Sequence, residues 1–124
     1  MNINKLIKTW LPVIVWMGII FTLSHQPSLH SGLDNWLDFI LRKIAHITEY
    51  GILCFVLIRA LKAHTQIDKK TIVICALLAL LYAVSDEYHQ TFVFGRHGSL
   101  RDIAIDSIGI LIISSLYLTR FQRE

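Results

Sequence analysis

Charge is scarce in this chain. Asp, Glu, Lys and Arg make up only 17% of its 124 residues, where soluble globular domains carry about 25%. Mean hydropathy is +0.54. The composition is that of an integral membrane protein, and the length fits one domain, residues 1–124. Cysteine is scarce too. Cys54 and Cys75 both lie inside apolar runs, form no CxxC pair and share no metal-ligand spacing with a histidine. They read as small buried apolar residues. No P-loop, HExxH or Ser-His-Asp order is present to assign a reaction. A basic patch with interleaved aromatics is also missing. The net charge of +3 comes from Lys and Arg at the ends of apolar runs, where topology and lipid head groups account for them. Nucleic acid is thereby excluded as a partner.

What is present is a set of four apolar runs. Spans are expected at about 6–24, 43–61, 71–90 and 100–118, each near the ~20 residues a bilayer requires. The expected fold class is all-α: four transmembrane helices plus a short interfacial helix between spans 1 and 2. That fifth helix rests on Leu33, Trp36, Leu37, Ile40 and Leu41, which share one helical face behind a Ser31–Asp34 capping signature. Lys5 and Lys8 ahead of the first run resemble the start of a signal peptide. No small-x-small site follows, so the run reads as an uncleaved span. Asp68 is expected to cap span 3, and Ser99 with Asp102 to cap span 4.

The few charges are unevenly placed. Ser85–Asp106 holds four of the nine acids (Asp86, Glu87, Asp102, Asp106) together with Arg96 and Arg101. Four spans put both termini on one side. That side carries eight basic residues: Lys5, Lys8, Arg59, Lys62, Lys69, Lys70, Arg120 and Arg123. The other side has four, Arg42, Lys43, Arg96 and Arg101. The richer side should be cytoplasmic, with both termini inside. Seven of the acids then fall on the outer side. Ser24 and Gln26, Lys43, His46 and Glu49, Asp86, Glu87 and Gln90, and Asp102 and Asp106 form one polar layer. Every span contributes to it. Ionisable groups at membrane depth are expensive and mark function by default. The cytoplasmic half of each span is nearly free of polar residues, so no relay crosses the membrane and a transporter is disfavoured.

The motifs follow a recognisable order. S-x-Q (Ser24, Gln26) precedes K-x-x-H-x-x-E-Y (Lys43, His46, Glu49, Tyr50). D-E-x-x-Q-x-F (Asp86, Glu87, Gln90, Phe92) and G-R-x-G-S-L-x-D (Gly95, Arg96, Gly98, Ser99, Leu100, Asp102) come next. Over nearly the whole chain this order resembles the VanZ-like family of integral membrane proteins. Phe94 stands where that family often has a proline before Gly-Arg. The family takes its name from a protein associated with teicoplanin resistance in Gram-positive bacteria. The resemblance implies a multi-pass protein of the bacterial plasma membrane, with a cell-envelope role and a link to glycopeptide resistance.

Each polar residue carries two readings. His46 is a general acid/base or metal ligand oriented by Glu49 one turn on, or else a helix–helix contact, with Tyr50 beside it. Asp102 is a ligand or base, or the acid of the Ser99 capping box. Asp106 lies one turn deeper, where capping no longer explains it. Asp86 and Glu87 are adjacent and point ~100° apart on a helix. One is expected to face a pocket and the other to pair with Arg or Lys. Arg96, between glycines, suits a bidentate hold on phosphate or carboxylate; alternatively Arg96 or Lys43 neutralises surplus acids. The candidate catalytic set is His46, Glu49, Asp86, Glu87 and Asp106. The candidate substrate-holding set is Gln26, Lys43, Tyr50, Gln90, Arg96, Arg101 and Asp102.

Three functions fit these residues. The first is an enzyme acting on a lipid head group or lipid-linked envelope intermediate. The second is a divalent cation site, whose oxygen ligands favour Mg²⁺, Mn²⁺ or Ca²⁺ over zinc. The third is a non-enzymatic protein that binds a lipid or glycopeptide, or whose polar layer is an ion-pair network specifying the bundle.

Overall fold

The computed structural model describes residues 2–25 and 35–123. They form four helices: α1 (Ile3–His25), α2 (Asn35–Lys62), α3 (Lys69–Gln90) and α4 (Leu100–Phe121). All four are long and apolar enough to cross a membrane. At ~1.5 Å per residue even the shorter ones exceed the ~30 Å hydrocarbon core. No strand occurs among the described residues.

The second span starts earlier than expected. Asn35–Arg42 runs without a break into Lys43–Lys62, so the separate interfacial helix is replaced by the first turns of α2. No proline or glycine lies between Asn35 and Tyr50 to stop the helix. An Asp38–Arg42 ion pair at 3.1 Å, one turn apart, braces the supposed boundary. The Ser31–Asp34 signature and Gln26 lie outside the described residues. The other two caps form as expected. The Asp68 carboxylate accepts from Thr71 N at 2.7 Å, and Ser99 Oγ accepts from Asp102 N at 3.1 Å.

Successive helices run antiparallel, which makes α1 parallel to α3 and α2 parallel to α4. Tyr82 donates to the Met17 carbonyl at 2.7 Å, tying α3 to α1. The Trp16 indole donates to the Glu49 carbonyl at 2.9 Å, tying α1 to α2. The three helices α2, α3 and α4 pack mutually, while α1 flanks α2 and α3 and does not reach α4 among the described residues. Only Val13, Ile20 and Ser24 of α1 are buried.

The tightest pairing is α2 with α4. Lipid tails are as apolar as leucine, so close packing and hydrogen bonds, rather than burial, must hold membrane helices together. Gly51 and Gly109 meet at this crossing. A Cβ on Gly109 would run into the Ile47 carbonyl and come within 2.8 Å of Gly51 N. Deeper along the same pair, Cys54 Sγ lies 3.5 Å from Ser114 Oγ. On α3 the buried stripe is Ile72, Cys75, Ala79 and Ala83, and it continues on the same side as Asp86, Glu87 and Gln90. The stripe changes from small apolar groups to acids as the chain nears the polar end of the bundle.

Candidate functional site

Lys43, His46 and Tyr50 recur on one face of α2, and Asp102 and Asp106 on one face of α4. The helices are parallel and drawn close by the glycine crossing just beneath. The two rows therefore meet as rungs. Lys43 Nζ pairs with Asp102 Oδ1, and His46 Nδ1 pairs with Asp106 Oδ1 at 3.0 Å. Asp106 is 0% exposed. Tyr50 turns toward α3, where its hydroxyl donates to Asp86 Oδ2 at 2.8 Å. Gln90 Nε2 donates to the same oxygen at 3.3 Å. Tyr50, Asp86 and Gln90 are all buried.

Glu87, one position on, points toward the start of α4, and its Oε2 accepts from Ser99 N at 3.2 Å. The α3–α4 loop is built to deliver that N–H. Gly95 adopts a positive φ of 76°, a conformation that costs a glycine little. Gly98 sits against the end of α3, where a Cβ would overlap the Glu87 carbonyl and lie 2.8 Å from Thr91 Cγ2.

Two expectations change here. His46 is oriented by Asp106, sixty positions away, rather than by Glu49 one turn on. Glu49 instead lines a cavity wall. Asp86 and Glu87 do not divide into one pocket-facing acid and one cation-paired acid. Both are buried, and the hydrogen bonds that hold them come from Tyr50, Gln90 and Ser99.

Two cavities flank His46. One, of about 210 Å³, is lined by Phe39, Arg42, Lys43, His46, Gln90, Gly95, Arg96, His97 and Asp102. The other, of about 270 Å³, is lined by Leu23, Ser24, Arg42, Ala45, His46, Glu49 and Arg96. Arg42, His46 and Arg96 border both. Arg96 also reaches across to the Leu23 carbonyl, 3.5 Å away at the end of α1. Arg101 is exposed and lies outside both cavities. Sequence reasoning passed over Arg42, Phe39 and His97. Arg42 carried one usable signal, since it stands four residues before His46 and so shares its helical face. At the floor, one ligand atom from each of His46, Glu87 and Asp106 lies within 4.8 Å of the others.

A family model described as VanZ/LLP1 matches residues 9–121. The chain belongs to the VanZ/LLP1 family. No curated protein and no solved structure matches it significantly. In this VanZ/LLP1 chain the motif segments, far apart in sequence, converge at one end of the bundle. Ser24 of α1, Lys43 and His46 of α2, Gln90 of α3 and Asp102 of α4 all border the paired cavities.

Proposed function

We propose that this VanZ/LLP1 protein is a multi-pass protein of the bacterial plasma membrane. Both termini are cytoplasmic, and its outward-facing pocket receives the anionic head group of a lipid or lipid-linked envelope intermediate. The carrying observation is a half-buried imidazole paired with a buried carboxylate, His46–Asp106, beneath a cavity bordered by Arg42, Lys43 and Arg96. The three cations suit phosphate oxygens, with Arg42 and Lys43 sharing their charge between the ligand and Asp38 and Asp102. His46, fixed through Nδ1 by Asp106, is positioned to exchange a proton with a group entering the cavity. Size supports a head group over a larger ligand. Each of the two cavities, about 210 and 270 Å³, is smaller than the ~300–1,000 Å³ typical of sites that enclose whole drug-sized molecules. A glycopeptide antibiotic exceeds either many times over. The link to glycopeptide resistance then runs through the envelope rather than through capture of the antibiotic. The excess of Lys and Arg at the end of the bundle that holds the termini supports the orientation.

A second reading has its own support. Lys43–Asp102, His46–Asp106 and Tyr50–Asp86 each join two helices, and on this reading the polar layer specifies the bundle. The two readings separate on His46→Ala, Asp86→Asn and Arg96→Ala. Under the head-group reading, cells carrying each variant at normal level and helical content lose the lipid change and any teicoplanin phenotype of the wild type. The lipid change is read by mass spectrometry of total lipid extracts. Under the structural reading the variants only lower protein level or stability.

A further inference from the structure

The floor of the site carries a charge problem that the head group does not touch. Glu87 is 2% exposed and Asp106 is 0% exposed. Each has a carboxylate oxygen, Glu87 Oε1 and Asp106 Oδ2, that is buried and without a hydrogen-bond partner among the described residues. Buried carboxylate oxygens are ordinarily paired, because leaving one unsatisfied forfeits its hydration with nothing in return. The nearby ammonium of Lys43 is already engaged with Asp102. His46 completes the group: three ligand atoms, one each from α2, α3 and α4, lie within 4.8 Å of one another. Metal–ligand bonds of about 2.0–2.6 Å place ligand atoms on opposite sides of an ion about 4–5 Å apart. The spacing therefore needs little adjustment to close on one.

We propose that His46, Glu87 and Asp106 form a divalent cation site that joins the three core helices at the base of the pocket. Its donor set, one imidazole nitrogen with carboxylate oxygens, suits Mn²⁺ or a neighbouring first-row ion better than Mg²⁺ or Ca²⁺, which take oxygen ligands. The surroundings fit a built site. Ser99 N–H fixes Glu87 through Oε2 and leaves Oε1 for the ion. Neighbours that orient ligands in this way typically tune metal affinity. His46 also borders both cavities, which gives an ion a polar route in. The ion site stands whether or not a head group binds above it; with the ion bound, His46 is its ligand and the proton exchange proposed above does not run through it.

The test uses the whole chain in lipid nanodiscs, stripped with chelator and titrated with Mn²⁺ alone under electron paramagnetic resonance. The wild type should bind one Mn²⁺ and show ¹⁴N modulation from a coordinated imidazole. Glu87→Gln and Asp106→Asn should each weaken binding by about tenfold or more. His46→Gln should remove the nitrogen modulation. Asp68→Asn, at the opposite end of the bundle, should bind as the wild type does. Circular dichroism and monodispersity establish that each variant is folded. If Asp106→Asn fails to fold, the nitrogen modulation of the wild type and the Glu87→Gln titration still decide the matter. No stoichiometric binding by the wild type at millimolar Mn²⁺, binding without nitrogen modulation, or unchanged affinity in folded Glu87→Gln would each overturn the proposal.

Discussion

Tyr50 combines two properties that phenylalanine separates: a buried ring and a hydroxyl donated to Asp86. Tyr50→Phe keeps the ring and leaves the carboxylate with only the longer Gln90 bond at 3.3 Å. Loss of a donor to a buried acceptor costs roughly 1–3 kcal/mol, whereas an average interhelical hydrogen bond in a membrane protein is worth about 0.6 kcal/mol. The Asp86 carboxylate sets the larger figure here, so unfolding in mixed micelles should show a loss above about 1 kcal/mol. Tyr50→Phe with Asp86→Asn should lose less than the sum of the two single changes. Outside the spans, the Thr71 hydroxyl and backbone N–H hold the Asp68 carboxyl below the usual aspartate range. A depressed carboxyl contributes its stability above its unfolded pKa of about 3.9 and loses it as pH falls through the lower folded value. The wild type should therefore lose more thermal stability below about pH 4 than Asp68→Asn, which still caps but does not titrate. Parallel acid profiles would remove that role. Asp68 and Ser99 were legible as caps because capping is local in sequence. The partner of His46 was not legible. Glu49 is adjacent in sequence, but the choice of Asp106 depends on how α2 and α4 are rotated, which spacing within one helix does not determine.

The helices themselves were legible from apolar length, and the start of α2 was not. An amphipathic face from Leu33 to Leu41 reads the same whether its helix lies on the membrane or continues into a span. The continuous hydrogen-bonded turns from Asn35 decide it. The α2–α4 crossing was half legible: Gly109 shares a face with Asp102 and Asp106, but its counterpart Gly51 is visible only once the pairing is known. Gly109→Ala tests whether that crossing sets the site. The added methyl collides with backbone at Ile47 and Gly51, which flexible side chains cannot relieve. A cost of about 1–3 kcal/mol or more is expected, together with separation of His46 from Asp106. A cross-link reads the separation directly. Ser114→Cys should oxidise to a disulfide with Cys54, whose sulfur lies 3.5 Å from the Ser114 oxygen. Gly109→Ala in that background should leave more of the two thiols open to maleimide. Equal cross-linking in both backgrounds would mean that the helices absorb the methyl without moving apart.

For the molecule as a whole, the two ends of the bundle differ in kind. One end gathers Glu49, Asp86, Glu87, Asp102 and Asp106 together with Arg42, Lys43, His46 and Arg96. The other end holds the basic residues Lys62 and Arg120 around an open hollow, with Tyr117 and Phe121. Large exposed aromatics, Trp36, Tyr88, Phe92 and Phe94, ring the acidic end, as expected where a bundle meets the head-group layer. This polarity makes the orientation consequential, because it decides which leaflet supplies the head group. Phe94 serves as the probe for the acidic end: it is 91% exposed and stands clear of the Ser99 cap. Thr65, in the α2–α3 connection, reports the opposite end. The native Cys54 and Cys75 are buried within the bundle and give little background. A membrane-impermeant maleimide applied to intact cells should label Phe94→Cys and spare Thr65→Cys until the cells are opened. The reverse pattern would turn the bundle over. The pocket would then face the cytoplasm, and lipid-linked intermediates on the inner leaflet would become its ligands in place of the outer-leaflet head groups proposed here.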